Sequence, residues 1–297
     1  MRAWLRRLIL RLLWWFPAPT PWVLPGHYYS PIPSAADVEA HERVAALPPP
    51  ESLPGINLDL DAQLQLLREL RRFYADQPFL AKPDHSMRYY FENEVFGYAD
   101  AILLHCLLRH LRPKRIVEVG SGFSSAAILD TAELFLDPST RITLVEPHPE
   151  RLLALMKPGD LDRVTLVTQP VQSVDLDLFW GLESRDVLLI DSTHVAKLGS
   201  DVNHHVFEVL PRLRPGVHVH FHDVFYPFEY PVAWAKEGRA WNEAYLLRAF
   251  LSFNFSYEIV LFNDFVAGRF RDMFERDFQL CLKNTGGSLW LRRKAQE

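Results

Sequence analysis

The chain has 297 residues, is 48% hydrophobic and 23% charged, and carries a formal net charge of -5 with a pI near 6.2. That length suits one core of about 200 residues with a sizeable extension, and the mild acidity argues against nucleic acid as a partner, since such binding needs a basic face. Two cysteines, Cys106 and Cys281, stand in no metal-ligand spacing and make no disulfide framework, which predicts a reducing, cytoplasmic location.

The first segment, MRAWLRRLILRLLWWF, sets Arg2, Arg6, Arg7 and Arg11 among Leu and Trp. It is too short to span a bilayer, which takes about 20 apolar residues, and Arg11 interrupts any signal-peptide core. Its composition predicts either peripheral membrane contact through residues 1–16 or docking on the domain or on a second subunit in a homo-oligomer. Residues 17–57 are rich in proline and read as an extended arm with a short helix around 35–47. Apolar residues then recur at helical spacing at Leu60, Leu64, Leu67, Leu70 and Phe73, and again from Ala101 to Leu111.

From Arg115 the pattern changes. Short apolar runs at 116–119, 142–146, 164–168, 187–191 and 217–221 alternate with helical segments at about 124–136, 148–157 and 202–213. Two more strands are expected at 257–262 and 288–292, with a connection between them too long for a tight turn. The pattern predicts an α/β fold, a Rossmann-like, seven-stranded, mostly parallel sheet whose last strand is antiparallel.

In such sheets ligands sit beyond the carboxyl ends of the strands. The first strand ends in Glu118-Val119-Gly120, and Gly122 and Ser124 open the next helix. The glycines permit a sharp turn and close backbone approach, while Glu146, ending the second strand, suits two ribose hydroxyls. A dinucleotide fingerprint would place a third glycine at Ser125, and no basic residue stands near the loop. Acids at both strand tips favour a ligand with an adenosine end and a cationic end, the character of S-adenosylmethionine. The fourth strand ends in Asp191-Ser192-Thr193-His194 and the fifth in His222-Asp223. Both tips open on one crevice, so Asp191, His194, His222 and Asp223 are expected to converge. His218 and His220 share a strand face with His222 but lie deeper, so packing is expected for them. Ser200 and Asp201 precede a helix and read as caps.

EVGSGFSS followed by VEPHPER resembles the first two motifs of the class I S-adenosylmethionine-dependent methyltransferases, and the resemblance covers about residues 85–293. DSTHVAKLGSDVN and LPRLRPGVHVHFHDVFYPFEYP resemble a bacterial branch of small-molecule O-methyltransferase-like proteins, similar in outline to metal-dependent catechol-type enzymes. The resemblance implies a methyltransferase domain over 85–297 behind an extension over 1–84. It implies that Glu118, Gly120 and Gly122 line the methionine part of S-adenosylmethionine, that Ser124 also binds the cofactor, that Glu146 binds ribose, and that Gln172 meets adenine. Asp191 falls where those enzymes place a cofactor-proximal acid that also binds metal. His222 and Asp223 stand where the catechol-type enzymes have Asp then Asn, and His194 stands in place of their lysine base. The implied metal set is Asp191, His222 and Asp223, holding Mg, Mn or Fe, with His194, His222 and Asp223 as the catalytic candidates. The expected reaction is methyl transfer to a hydroxyl of a small-molecule or sugar-like acceptor. A metal-dependent hydroxylase and a non-catalytic membrane-peripheral binding protein remain as alternatives. The aromatic, proline-rich segment 225–241 is expected to cover the acceptor, with Arg88, Tyr89, Tyr90, Glu92 and Asn93 as an opposite wall.

Overall fold

The computed structural model describes residues 22–295, so the basic segment expected to meet membrane or partner lies outside the described residues. The chain forms two compact units. The smaller takes in the chain up to Pro48 together with Pro231–Ala240. Its helix α1 (Ala35–Ala45) starts in a capping box, where Ser34 accepts from the Asp37 N–H and Asp37 accepts from the Ser34 N–H. A helical turn, Val232–Lys236, packs on α1, and Lys236 Nζ pairs with Glu42 at 2.8 Å.

The larger unit spans Pro49–Tyr230 and Trp241–Glu297. It therefore includes residues 49–84, which the resemblance had left to the extension. The reason is helix α2 (Leu60–Tyr74), whose apolar stripe buries Leu67 and Leu70 against helix α3 (Tyr98–Leu111). Helix α3 is apolar nearly all round and is buried accordingly.

Strands β1 (Arg115–Val119), β2 (Arg141–Val145), β3 (Val164–Val167), β4 (Val187–Ile190), β5 (His218–Phe221), β6 (Tyr257–Phe262) and β7 (Leu289–Arg293) form one sheet in the order β3-β2-β1-β4-β5-β7-β6. The first five are parallel, and β7 inserts antiparallel between β5 and β6. Between strands run α4 (Phe123–Phe135), α5 (Glu150–Leu155) and α6 (Glu243–Leu251); the long connection before β7 folds into α7 (Asn263–Arg269) and α8 (Arg271–Asp277). No helix among the described residues is long and apolar enough to cross a membrane.

The register positions the site. Val119 pairs with Val145 and with Ile190, and Ile190 pairs with Phe221. The next residue of each strand is therefore Gly120, Glu146, Asp191 or His222, lined up one step beyond the carboxyl ends. Two helices are shorter than their apolar pattern. The segment expected over 202–213 is an α turn at Asp201–His204, a π turn at His205–Val209 and a 3-10 turn at Leu210–Arg212, because Pro211 removes an N–H donor. Helix α5 stops at Leu155, since Pro158 disfavours helix in the residue before it.

Candidate active site

Gly120 turns out of β1 at φ +83°, and its N–H donates to the Val145 carbonyl at 3.0 Å. A Cβ built there would meet the Asp191 carbonyl oxygen at 1.7 Å. No side chain fits, so the glycine brings the loop onto the tip of β4. The loop is braced from two sides. Glu146, half-buried at the tip of β2, accepts from the Ser121 N–H at 2.9 Å and from the His148 N–H at 2.7 Å. A carboxylate oxygen has a second lone pair, so these bonds leave Glu146 able to accept from ribose hydroxyls. From below, Ser125 accepts from the Gly122 N–H at 3.0 Å and donates to Glu118. Glu118 is fully buried, and burial pushes its carboxyl up to about 8. It sits beneath the loop as a neutral support, with buried Ser124 beside it on α4. Gln172 is exposed and donates to the Gly199 carbonyl at 2.9 Å, which ties it to the loop after β4.

The acidic and imidazole groups converge. His194 Nε2 lies 3.5 Å from Asp191 Oδ1 and 3.6 Å from Asp223 Oδ2. His222 Nδ1 lies 3.3 Å from the same Asp191 oxygen and 3.7 Å from Asp223 Oδ1. The carboxylate side chains remain 29% and 18% exposed for Asp191 and Asp223, while both histidines are buried. Among the described residues, Asp191, His194 and Asp223 form a group whose ligand atoms lie within 4.8 Å of one another. The predicted metal set had His222 in the place that His194 takes in this group. His194 reaches it because its backbone enters the left-handed region at φ +59°, as does Asp223 at φ +57°. Such angles are uncommon for non-glycine residues and tend to gather at functional sites.

Charge sets the protonation of the cluster. Burial raises Asp191, but His222 and His194 outweigh it and hold the carboxyl well below its ordinary range. Burial lowers His194, yet hydrogen bonds to Asp191 and Glu243 lift it to about 10. His222 is likewise opposed by burial and raised well above its usual value, chiefly by Asp191. Asp223 is raised, with burial the main cause.

Two buried acids behind the histidines escape the sequence reading. Glu243, the first residue of α6, holds His194 Nδ1 at 2.9 Å through Oε2. Asp100, in the first turn of α3, places Oδ2 3.7 Å from His222 Nε2, while its Oδ1 accepts from Ser288 at 2.6 Å and from the Gly287 N–H at 3.1 Å. A lone acid inside the apolar stretch YADAILLHCLL was the available signal for Asp100. His220 is packed as expected, bonded to Ser288 at 2.8 Å and set against Trp290. Ser200 caps its helical turn, accepting from the Asn203 N–H, and Asp201 instead holds Thr193 through its N–H and hydroxyl at 2.8 and 2.6 Å. The expected opposite wall is largely structural. Arg88 is buried among Asp130, Asp160 and Glu133, Tyr89 donates to the Phe96 carbonyl, and Asn93 closes its own turn. Of the aromatic segment after β5, Phe225–Tyr230 belong to the larger unit and residues 231–240 to the smaller.

A family model described as a methyltransferase domain matches residues 117–224, from β1 to just past β5. An uncharacterized protein of Archaeoglobus fulgidus is 36% identical over 164 residues, which cover 54% of this chain and 73% of that protein. Residues 117–224 of the chain form a methyltransferase domain. Among solved structures, the methyltransferase PaMTH1 of Podospora anserina with bound SAH is 16% identical, covers 93% of this chain and 100% of its own, and gives a TM-score of 0.43. An O-methyltransferase from Bacillus cereus in complex with SAH is 12% identical, covers 86% and 97% of the two chains, and gives 0.41.

The donor groups of this methyltransferase fit a divalent cation. Asp191 and Asp223 offer oxygen, His194 offers nitrogen, and the other His194 nitrogen is held by a carboxylate, the usual support of a metal-binding imidazole. Asp100, Asp191, Asp223 and Glu243 surround the His194 and His222 imidazoles. With every group ionised the cluster is short of positive charge, which a cation or a sulfonium would supply. The methyltransferase also fits its adenosyl cofactor at the glycine turn, where the bare Gly120 backbone adjoins Asp191 and Glu146.

Proposed function

We propose that this protein transfers the methyl group of S-adenosylmethionine to a hydroxyl of a small-molecule acceptor, assisted by a divalent cation held by Asp191, His194 and Asp223. The observation that carries the reading is the contact between the glycine turn at Gly120 and the carboxylate–imidazole cluster that begins at Asp191. Cofactor and acceptor would then meet beside Asp191, and in-line displacement needs them adjacent.

Glu146 would hold the ribose hydroxyls, and the turn from Gly120 to Gly122 the methionine part, with Glu118 and Ser124 supporting that turn from beneath. Gln172 would meet adenine. Asp191, next to the turn, favours the positive sulfur. The acceptor oxygen attacks the methyl carbon, the carbon–sulfur bond breaks, and sulfur keeps the electron pair. The acceptor proton must leave, and Asp223, part exposed at the tip of β5, would take it. The cation, when bound, lowers the pKa of the acceptor hydroxyl.

Calorimetric titration with S-adenosylmethionine, with and without Mn²⁺, tests the reading. Saturable binding is expected, and Glu146→Ala should weaken it by about 1–3 kcal/mol, the cost of leaving hydroxyl partners unpaired. Absence of cofactor binding by the folded protein, with or without Mn²⁺, would sink the methyl-transfer reading.

A further inference from the structure

We propose that Glu243 is a positioning residue, holding the His194 imidazole so that Nε2 completes a cation site with Asp191 and Asp223. The inference rests on the cation-assisted reading above and goes beyond the three ligands.

Glu243 and Ala244, which open the helix, are fully buried. Its Oε2 holds His194 Nδ1 at 2.9 Å, and its Oε1 has no hydrogen-bond partner. Burying a carboxyl with one oxygen unpaired costs stability, so packing gives no reason for an acid here. A second set of bonds fixes the same geometry. The N–H groups of Asn242 and Glu243 both donate to the His194 carbonyl, at 3.0 and 3.2 Å. Asn242 Oδ1 accepts from the Ala196 N–H at 2.6 Å, and the Trp241 ring lies 4.5 Å from the imidazole. The start of α6 is thus stapled to the loop that carries His194, and the left-handed backbone of His194 is held in place.

The chemistry follows from the two ring nitrogens. A carboxylate at Nδ1 requires a proton there. With that proton held at Nδ1, the proton an incoming cation displaces is the one on Nε2, and the Nε2 lone pair then faces Asp191 and Asp223, the form that binds a metal. Without Glu243 the proton can sit on Nε2, where the two aspartates attract it, and the lone pair turns away from the cation position. Asp100 stands behind His222 in a similar way, but at 3.7 Å, with its other oxygen engaged by Ser288 and Gly287. That arrangement braces β7 as much as it orients an imidazole, so the inference is made for Glu243 alone.

The test is Mn²⁺ titration of the full chain, followed by the electron paramagnetic resonance of free Mn²⁺, with calorimetry of S-adenosylmethionine on the same samples. Glu243→Gln keeps the shape and an acceptor oxygen but loses the charge. Its Mn²⁺ Kd is expected to rise about tenfold, and that of Glu243→Ala to approach a hundredfold, the usual range for outer-shell partners of metal ligands. The cofactor Kd should stay unchanged, because Glu243 touches no part of the glycine loop; a merely structural role would move both constants together. Equal Mn²⁺ affinity in wild type and both variants, or parallel loss of Mn²⁺ and cofactor, overturns the inference and leaves the methyl-transfer reading standing. Cofactor binding by a wild type that binds no Mn²⁺ removes the cation and this inference with it. Should the alanine variant not fold, the isosteric glutamine variant carries the test.

Discussion

Gly120 and Gly122 look alike in the sequence and differ in what holds them. Gly120 combines φ +83° with a Cβ position 1.7 Å from a backbone oxygen that cannot move without moving β4. Gly122 is extended, a conformation open to any residue, and its Cβ would meet only the flexible Arg151 side chain, at 3.2 Å. Gly120→Ala is therefore expected to cost at least about 2 kcal/mol, combining left-handed strain with a backbone clash, and to abolish cofactor binding. Gly122→Ala should cost under about 1 kcal/mol, since a side-chain rotamer change relieves its contact. Urea unfolding of both variants, with cofactor titration of each, checks the contrast. Equal tolerance of the two substitutions would show that the strand tips approach less closely than described.

At the scale of elements, α2 shows why the larger unit begins before residue 84. Its Leu67 and Leu70 are fully buried, and Gln63 on the same face accepts from the Phe262 N–H of β6 at 2.9 Å. Leu70→Ala is expected to destabilise the protein by about 3 kcal/mol in denaturant unfolding, the loss typical of a buried leucine that leaves a cavity. A loss below 1 kcal/mol would mean that α2 is an appendage. The strands were legible because their signal is local. Apolar runs such as VLLI and VHVHF are set by the sheet period, and all seven strands fall within a residue of their expected bounds. The glycine turn was legible for the same reason, as one strand tip followed by one helix. Pro211 broke an apolar pattern that had suggested a longer helix. The buried acids were not legible, because their meaning lies in partners distant along the chain. Glu243 meets His194 across 49 residues, and Asp100 meets Ser288 across 188. Periodicity says that such positions are inside but cannot say which charge waits there.

Over the whole molecule, the buried ionisable groups set how stability depends on pH. Burial lowers His105, His205 and His218 to about 4, and His220 to about 3. In the unfolded chain these histidines titrate near 6.5, so between about 4 and 6.5 unfolding takes up protons. Their contribution is complete above pH 6.5 and is lost as pH falls toward 4. Glu118, raised by burial to about 8, and Asp264, raised by burial to about 7, act in the opposite sense. Both stay protonated in the folded protein where the unfolded chain has released the proton, so their contribution declines as pH rises above about 4. Asp130, Asp223 and Glu243, also raised by burial, act with these carboxyls and oppose the histidines between pH 5 and 6. Above pH 6.5 the histidine gain ends while the carboxyl loss continues, and His194, held up to about 10 by Asp191 and Glu243 against its burial, adds to the decline. Metal-free protein is therefore expected to lose stability as pH rises above about 6.5. His205 isolates the acid limb, being fully buried with neither ring nitrogen hydrogen-bonded. His205→Leu changes packing equally at pH 5 and pH 7, so that cost cancels in the comparison between the two. Only the proton uptake remains, and the loss of stability from pH 7 to pH 5 should be about 2 kcal/mol smaller in the variant. Denaturant unfolding at the two pH values measures the difference, and an unchanged loss would mean that His205 is charged, or solvated, inside the folded protein.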